Sequence, residues 1–218
     1  MILLGLTGDI AAGKSTVAKL LQGRGAVVID SDDLVRELYA DRDFAQQVAT
    51  LFETHFWDAK AGAVRPILTP EGGIDRQALA ALVFRDAAAL RKLELLVHPA
   101  VAALRERKIR ALREGETPPP AVVLEAVKLL ESGQYRGCDA VWWIRVTPEV
   151  QMKRLIQNRS MGEAAACDRL AQQPPADAKR ALAGDLPLVE IENSGTPIEL
   201  ESRVERAWNE LLSRMTVS

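Results

Sequence analysis

Residues 1–21 read MILLGLTGDIAAGKSTVAKLL. Within them, residues 8–15, GDIAAGKS, place Gly8, four residues, Gly13, Lys14 and Ser15 at the spacing of a phosphate-binding loop. An apolar run at 2–6 precedes the loop and helical periodicity at 15–22 follows it, so the motif falls where a strand hands over to a helix. The chemistry needs that context. Successive backbone N–H groups turn inward on an anion, and the positive end of the next helix adds to their field. Lys14 is then expected to reach the β- and γ-phosphates of a nucleotide, with the Ser15 hydroxyl on Mg²⁺. The competing reading is a strand–helix turn with no ligand.

Composition narrows the classes. A chain of 218 residues, 48% of them hydrophobic, can bury one α/β core with a small appended subdomain. With 28 basic against 30 acidic residues there is no overall cationic field for a nucleic-acid backbone, so no nucleic-acid partner is expected. The run at 2–6 is too short for a membrane span or a signal segment, and no other apolar run is long enough to span a bilayer, so the expectation is a cytoplasmic protein without a membrane partner. Cys138 and Cys167 lack ligand-like spacing and read as packing residues in a reducing compartment.

Short apolar runs at 2–6, 26–29, 121–124, 140–146 and 188–191 predict five strands. Helical periodicity predicts helices at 15–22, 77–84, 88–97, 100–113, 148–157 and 199–212, with Pro99 separating the third from the fourth. Alternating strands and helices point to a doubly wound parallel sheet, which binds ligands beyond the carboxyl ends of its strands. The second strand runs into VVIDSDDLVRELY, which puts Asp30, Asp32 and Asp33 at that edge and Arg36 one turn into the following helix. A carboxylate here can orient and deprotonate an acceptor hydroxyl, while the plainer role is helix capping by Asp32 or Asp33. Glu125, closing VVLE, is a candidate for a Mg²⁺-bound water or for a hydrogen bond to the loop.

The motifs, in order, are GLTGDIAAGKSTVA, Asp30-Ser31-Asp32 with Arg36, IDRQALAALVF, LELLVHP with His98 and Pro99, and LLESG. CDAVWWIRV, Gln151 with Arg154, Arg159 through Arg169 to Gln173, and ENSG with Asn193 and Gly195 complete the series. In this order they resemble the dephospho-coenzyme A kinases over nearly the whole chain. That resemblance implies a P-loop NTPase fold of the nucleoside monophosphate kinase type: a three-layer α/β/α core at about 1–33, 114–150 and 174–218, a helical acceptor domain at about 34–113 and a small basic lid at about 151–173. It implies transfer of the ATP γ-phosphate to the 3′-hydroxyl of 3′-dephospho-CoA. ATP would be held by Gly8, Ala11, Ala12, Gly13, Lys14, Ser15 and Thr16 with Arg154 and Asn193, the last bordering the adenine. Mg²⁺ would lie at Ser15 and Glu125, Asp32 would act on the hydroxyl, and Arg159 would stabilise the transferred charge. Arg36 and His98 would meet the acceptor, His98 having a structural or capping role as the alternative. A kinase with another nucleoside or nucleotide acceptor, and an ATP-binding regulatory module, remain the other readings.

The chain departs from the family pattern at Asp9, Ala11 and Ala12, where Gly, Gly and Ser are usual, and the loop is expected to work, with less flexibility, if those residues keep φ below zero. Lys128 also puts a charge where the family's PLLFE segment is apolar. Between 145 and 180, Arg145, Lys153, Arg154, Arg159, Arg169, Lys179 and Arg180 gather, as a phosphate-covering lid requires; an ordinary solvated helix is the alternative. His55 reads as a surface residue. Trp142 and Trp143 face opposite sides of one strand, one into the core and one under a helix.

Overall fold

The computed structural model describes residues 1–52, 55–58, 63–84, 86–159 and 161–216. The run at 2–6 extends to a strand, β1 (Ile2–Gly8), buried along its whole length, as a strand covered on both faces must be. After it come α1 (Lys14–Gln22), β2 (Val27–Asp30), α2 (Ser31–Ala40), α3 (Arg42–Phe52), β3 (His55–Asp58), β4 (Ala63–Pro66), α4 (Arg76–Val83) and α5 (Ala87–Glu114). The chain closes with β5 (Ala121–Glu125), β6 (Ala140–Arg145), α6 (Pro148–Arg159), α7 (Glu163–Ala171), α8 (Ala176–Ala183), β7 (Leu188–Glu192) and α9 (Pro197–Thr216).

The chain divides into two units, Met1–Asp30 with Leu112–Ser218, and Ser31–Ala111. In the first, five parallel strands run in the order β2-β5-β1-β6-β7, the doubly wound sheet expected from the five apolar runs. One face is packed by Val17 and Leu21 of α1 and by Leu200, Val204, Trp208 and Leu211 of α9 against Leu4, Leu6, Val123, Trp142 and Ile144. A side chain this large contributes about 1.5–3 kcal/mol when fully buried, so this layer is the main source of cohesion. The opposite face is tighter. A Cβ at Gly5 would come within 2.7 Å of Leu129, whose side chain fills the space that Gly5 leaves. Trp142 and Trp143, 0% and 1% exposed, divide between the faces as the strand period requires, Trp142 into this core and Trp143 beneath α8. Thr196 and Glu199 form a reciprocal cap at the start of α9: Thr196 N–H donates to Glu199 Oε2 (2.7 Å) and Glu199 N–H to Thr196 Oγ1 (3.3 Å).

The second unit is mainly helical. Asp41, Asp75 and Asp86 accept from first-turn N–H groups and so start α3, α4 and α5. Its β3–β4 hairpin is antiparallel. The expectation for His55 concerns a side chain outside the described residues. Pro99 does not separate two helices, because α5 runs unbroken for 28 residues with Pro99 inside it. An interior proline costs about 3 kcal/mol. The stripe Leu93, Val97, Val101, Leu104 and Ile109 is buried on both sides of Pro99, and at about 1.5–3 kcal/mol each it outweighs that cost. Pro99 itself is exposed, so the carbonyl it deprives of a donor can be hydrated.

Cys138 is buried, but Cys167 is exposed on α7 and is not a packing residue. An Ala-rich helix with Ala166 as its one buried residue leaves most of its positions to solvent. No helix among the described residues is long and apolar enough to cross a membrane.

Candidate active site at the phosphate loop

The loop between β1 and α1 is held from outside. Gln151 Nε2 donates to Ile10 O (2.9 Å), Arg154 Nη1 to Ala11 O (3.1 Å) and Asn193 Nδ2 to Ala12 O (2.7 Å). Each trans peptide points its N–H opposite its carbonyl. Fixing the Ile10 and Ala12 carbonyls on one side therefore aims the Ala11 and Gly13 N–H groups to the other. Ala12 N–H closes a tight turn on Asp9 O (3.0 Å). Gly13, in the left-handed region at φ 84°, begins α1 with no side chain capping it, so that helix end keeps its positive field for a ligand. Thr16 and Val17 N–H return to Gly13 O, and Ser15 and Thr16 are exposed on the first turn.

Two glycines are sterically required. A Cβ at Gly13 would lie 2.6 Å from Asn193 Nδ2, and one at Gly8 would lie 2.9 Å from Lys14 Cγ and 2.8 Å from Ile144 O. The second contact places the Lys14 stem back over the start of the loop. Ala11 corrects the expectation of φ below zero: it sits at +57°, the one non-glycine residue with positive φ among those described. The clamps on either side hold it there, at a cost of about 1–2 kcal/mol for an L-residue in this region.

Arg154 also donates through Nη2 to Asn193 O (2.8 Å), so two residues expected to meet ATP are joined to each other as well as to the loop. Gln173 Oε1 accepts from Ile10 N–H (2.8 Å) and from Gln151 Nε2 (3.2 Å), which ties α6 and the turn after α7 to the same dipeptide. Asp9 is 5% exposed. Its Oδ1 accepts from Trp143 Nε1 (2.9 Å) and pairs with Lys179 Nζ (3.1 Å) from α8, itself 3% exposed. Beside this pair lies a cavity of about 340 Å³ lined by Trp143, Arg145, Gln151, Gln173 and Pro175 among others. Arg145 and Arg180 hold Glu190, the strand partner of Trp143. The Arg180 hydrogen bond, with Arg145 helping, keeps the Glu190 carboxyl below its usual pKa.

At the carboxyl edge of the sheet, Glu125 lies level with Leu6 of β1 on one side and Asp30 of β2 on the other, one strand from the loop. Thr7 Oγ1 donates to Val127 O (3.0 Å) and anchors the segment after β5, in which Leu129 and Leu130 are buried while Lys128 faces solvent. The charge at Lys128 therefore costs that packing nothing. In the second unit, α2 begins at Ser31, which places Asp32 and Asp33 inside its first turn and not at its cap. Both are exposed, and Arg36 pairs with Asp33. His98 is exposed on α5. The backbone of Arg159 ends α6, and its side chain lies outside the described residues. No group of three or more His, Cys, Asp or Glu side chains among the described residues could hold a metal by itself.

A family model for dephospho-CoA kinase matches residues 2–197. The chain belongs to the dephospho-CoA kinase family. It is similar to a dephospho-CoA kinase of Geobacter sulfurreducens, 38% identical over 95% of this chain and 98% of that one, and to one of Symbiobacterium thermophilum, 39% identical over 95% and 80%. Among solved structures, a Thermus thermophilus protein matches at TM-score 0.71 and 30% identity over 98% of this chain and 97% of that one. The Campylobacter jejuni dephospho-CoA kinase matches in fold at TM-score 0.71 and 22% identity, over 97% of each. Among the described residues, Gln151, Arg154, Gln173 and Asn193, all from segments that carry the resemblance, hydrogen-bond to the loop backbone. Asp9 and Lys179 were missed as a pair. The visible signal was an acid where the pattern has glycine; nothing in the sequence joined it to a cationic donor 170 residues away.

Proposed function

We propose that the chain transfers the γ-phosphate of ATP to the ribose 3′-hydroxyl of 3′-dephospho-CoA, giving CoA and ADP in the cytoplasm. Family membership supports the acceptor. The observation that carries the nucleotide is the clamping of the Ile10, Ala11 and Ala12 carbonyls, which leaves an uncapped helix end and two inward N–H groups for phosphates. Lys14 holds the β- and γ-phosphates, Ser15 and Glu125 stand at the metal position, and Thr16 lies on the same turn. Mg²⁺, when bound, neutralises charge between the phosphates. A site with one hydroxyl and one carboxylate fits an ion that keeps most of its ligands as water and substrate oxygens. Asp32, two residues past the end of β2, takes the acceptor proton; Arg36 and His98 bind the acceptor, and Arg159 stabilises the transferring group.

The reading is tested by following ADP release from MgATP with dephospho-CoA and, in parallel, a panel of nucleosides and nucleotides. ADP formed with dephospho-CoA, together with a product heavier by one phosphate, supports it. Transfer to a nucleoside instead assigns another acceptor, and binding of MgATP with no transfer to any of them assigns a regulatory module.

A further inference from the structure

Asp9 is a buried carboxylate inside a loop whose work, on the function proposed above, is to bind a polyanion. A negative charge at that place opposes a triphosphate, and burial weakens the screening that water would give it. Among the described residues, Lys179 forms an ion pair with that carboxylate. Lys179 Nζ stands 3.1 Å from Asp9 Oδ1 and 5.2 Å from the Trp143 ring centroid, while the Trp143 N–H donates to the same oxygen. Both side chains of the ion pair are almost wholly excluded from solvent, at 4% and 6% exposed. The geometry points to Lys179 as a positioning residue that serves as the counter-charge of Asp9: together they pin the loop to β6 and α8 without leaving net charge behind the phosphate site. Nucleotide affinity is then set by the balance of the pair, and a change to either partner shifts it in a direction fixed by the charge that remains. The Ile10 contact to Gln173, just before α8, means that two consecutive loop residues are tied to the same stretch of chain. The pair therefore couples the position of α8 to that of the loop.

The test is calorimetric titration of the purified chain with MgATP, MgADP and AMP, without acceptor, beside a thermal melt of each variant. Lys179→Met leaves the carboxylate unbalanced and is expected to weaken MgATP binding by about tenfold or more, MgADP less and AMP least, since the loss scales with ligand charge. Asp9→Asn leaves the ammonium and is expected to tighten MgATP binding by several fold in the same order, although it breaks the same contact. Opposite signs support the counter-charge. Equal weakening by both variants, or a loss that is the same for AMP as for ATP, overturns it in favour of simple packing. If Lys179→Met does not fold, Asp9→Asn decides alone: unchanged or weaker MgATP binding overturns the inference. Wild-type protein that binds no MgATP would instead sink the proposed function, so the two failures are told apart.

Discussion

Replacing Ala11 by glycine removes a strain that the loop carries at rest. At φ 57° the alanine Cβ crowds its own carbonyl, which costs about 1–2 kcal/mol relative to glycine. Against this, glycine gains freedom in the unfolded chain, worth about 0.5–1 kcal/mol. The clamp on the residue does not change, because Arg154 binds its backbone carbonyl and not its side chain. Taking the middle of each range, the balance favours Ala11→Gly by about 0.75 kcal/mol, and for a chain of this size each kcal/mol moves the melting temperature by about 2–4 °C. Differential scanning calorimetry should therefore record a rise of about 1–4 °C, with MgATP affinity kept within a few fold because the carbonyl clamps persist. A melting temperature equal to or below that of the parent would refute the reasoning. It would mean either that the strain is absent or that the methyl group makes a packing contact worth more than the strain.

Three further outcomes follow, one from the proposed function and two from the surroundings of buried or paired side chains. Asp32→Asn should lower transfer to dephospho-CoA by about 10²- to 10⁴-fold in a steady-state assay while leaving MgATP affinity nearly unchanged, since the amide can still accept a hydrogen bond but cannot take a proton; a variant that keeps most of its rate would move the base elsewhere. Trp142 Nε1 is buried with no hydrogen-bond partner among the described residues, so Trp142→Phe removes an unsatisfied donor worth about 1–3 kcal/mol along with ring volume of similar worth. Its urea midpoint should stay close to the parent's, and a loss well above 3 kcal/mol would reveal an acceptor for that N–H. Glu190 has its folded pKa held down by Arg180 and Arg145, so its contribution is present above the unfolded carboxylate range and lost as pH falls through the lower folded value. Glu190→Gln should melt slightly lower at pH 7, by less than about 1 kcal/mol for so shallow a pair, and the gap should close on acidification; a gap that persists in acid would show that charge is not its origin.

The sheet was legible because each of its strands contains a short apolar run, and burial on both faces demands that pattern of the three central ones. β1, β5 and β6 are buried at nearly every position, which is why the runs at 2–6, 121–124 and 140–146 marked them. The phosphate loop was legible for a different reason: its chemistry fixes glycines and a lysine at set spacing. What periodicity cannot reveal is a helix with few anchors. α7 buries Ala166 alone and α8 buries Lys179 and Ala183, so neither leaves an apolar stripe to find. At Pro99 a correct local rule lost to a tertiary term, because the rule saw the missing N–H but not the stripe from Leu93 to Ile109 that holds both halves in line. The sign of φ at Ala11 was out of reach for a related reason, since it is imposed by donors 141 to 181 residues away from the carbonyls they hold.

Those donors explain why a phosphate loop can be ready before its ligand arrives. A short loop with two alanines and an aspartate has many ways to satisfy its carbonyls, and most of them would turn N–H groups away from the site. Gln151, Arg154 and Asn193 each remove one such way by taking a carbonyl in turn, at 2.9, 3.1 and 2.7 Å. A neutral hydrogen bond contributes about 0.5–1.5 kcal/mol net and a charged one more, so together they outweigh the strain at Ala11 and hold one conformation out of several. Arg154 does more than its neighbours, because its second nitrogen fixes Asn193 through Asn193 O and so makes two of the three clamps interdependent. A lysine at 154 has no planar fork with which to hold both carbonyls in that geometry. The ordering entropy of the loop is thus met during folding by residues of α6 and of the turn after β7, and on the proposed function an incoming phosphate would meet donors already aimed at it.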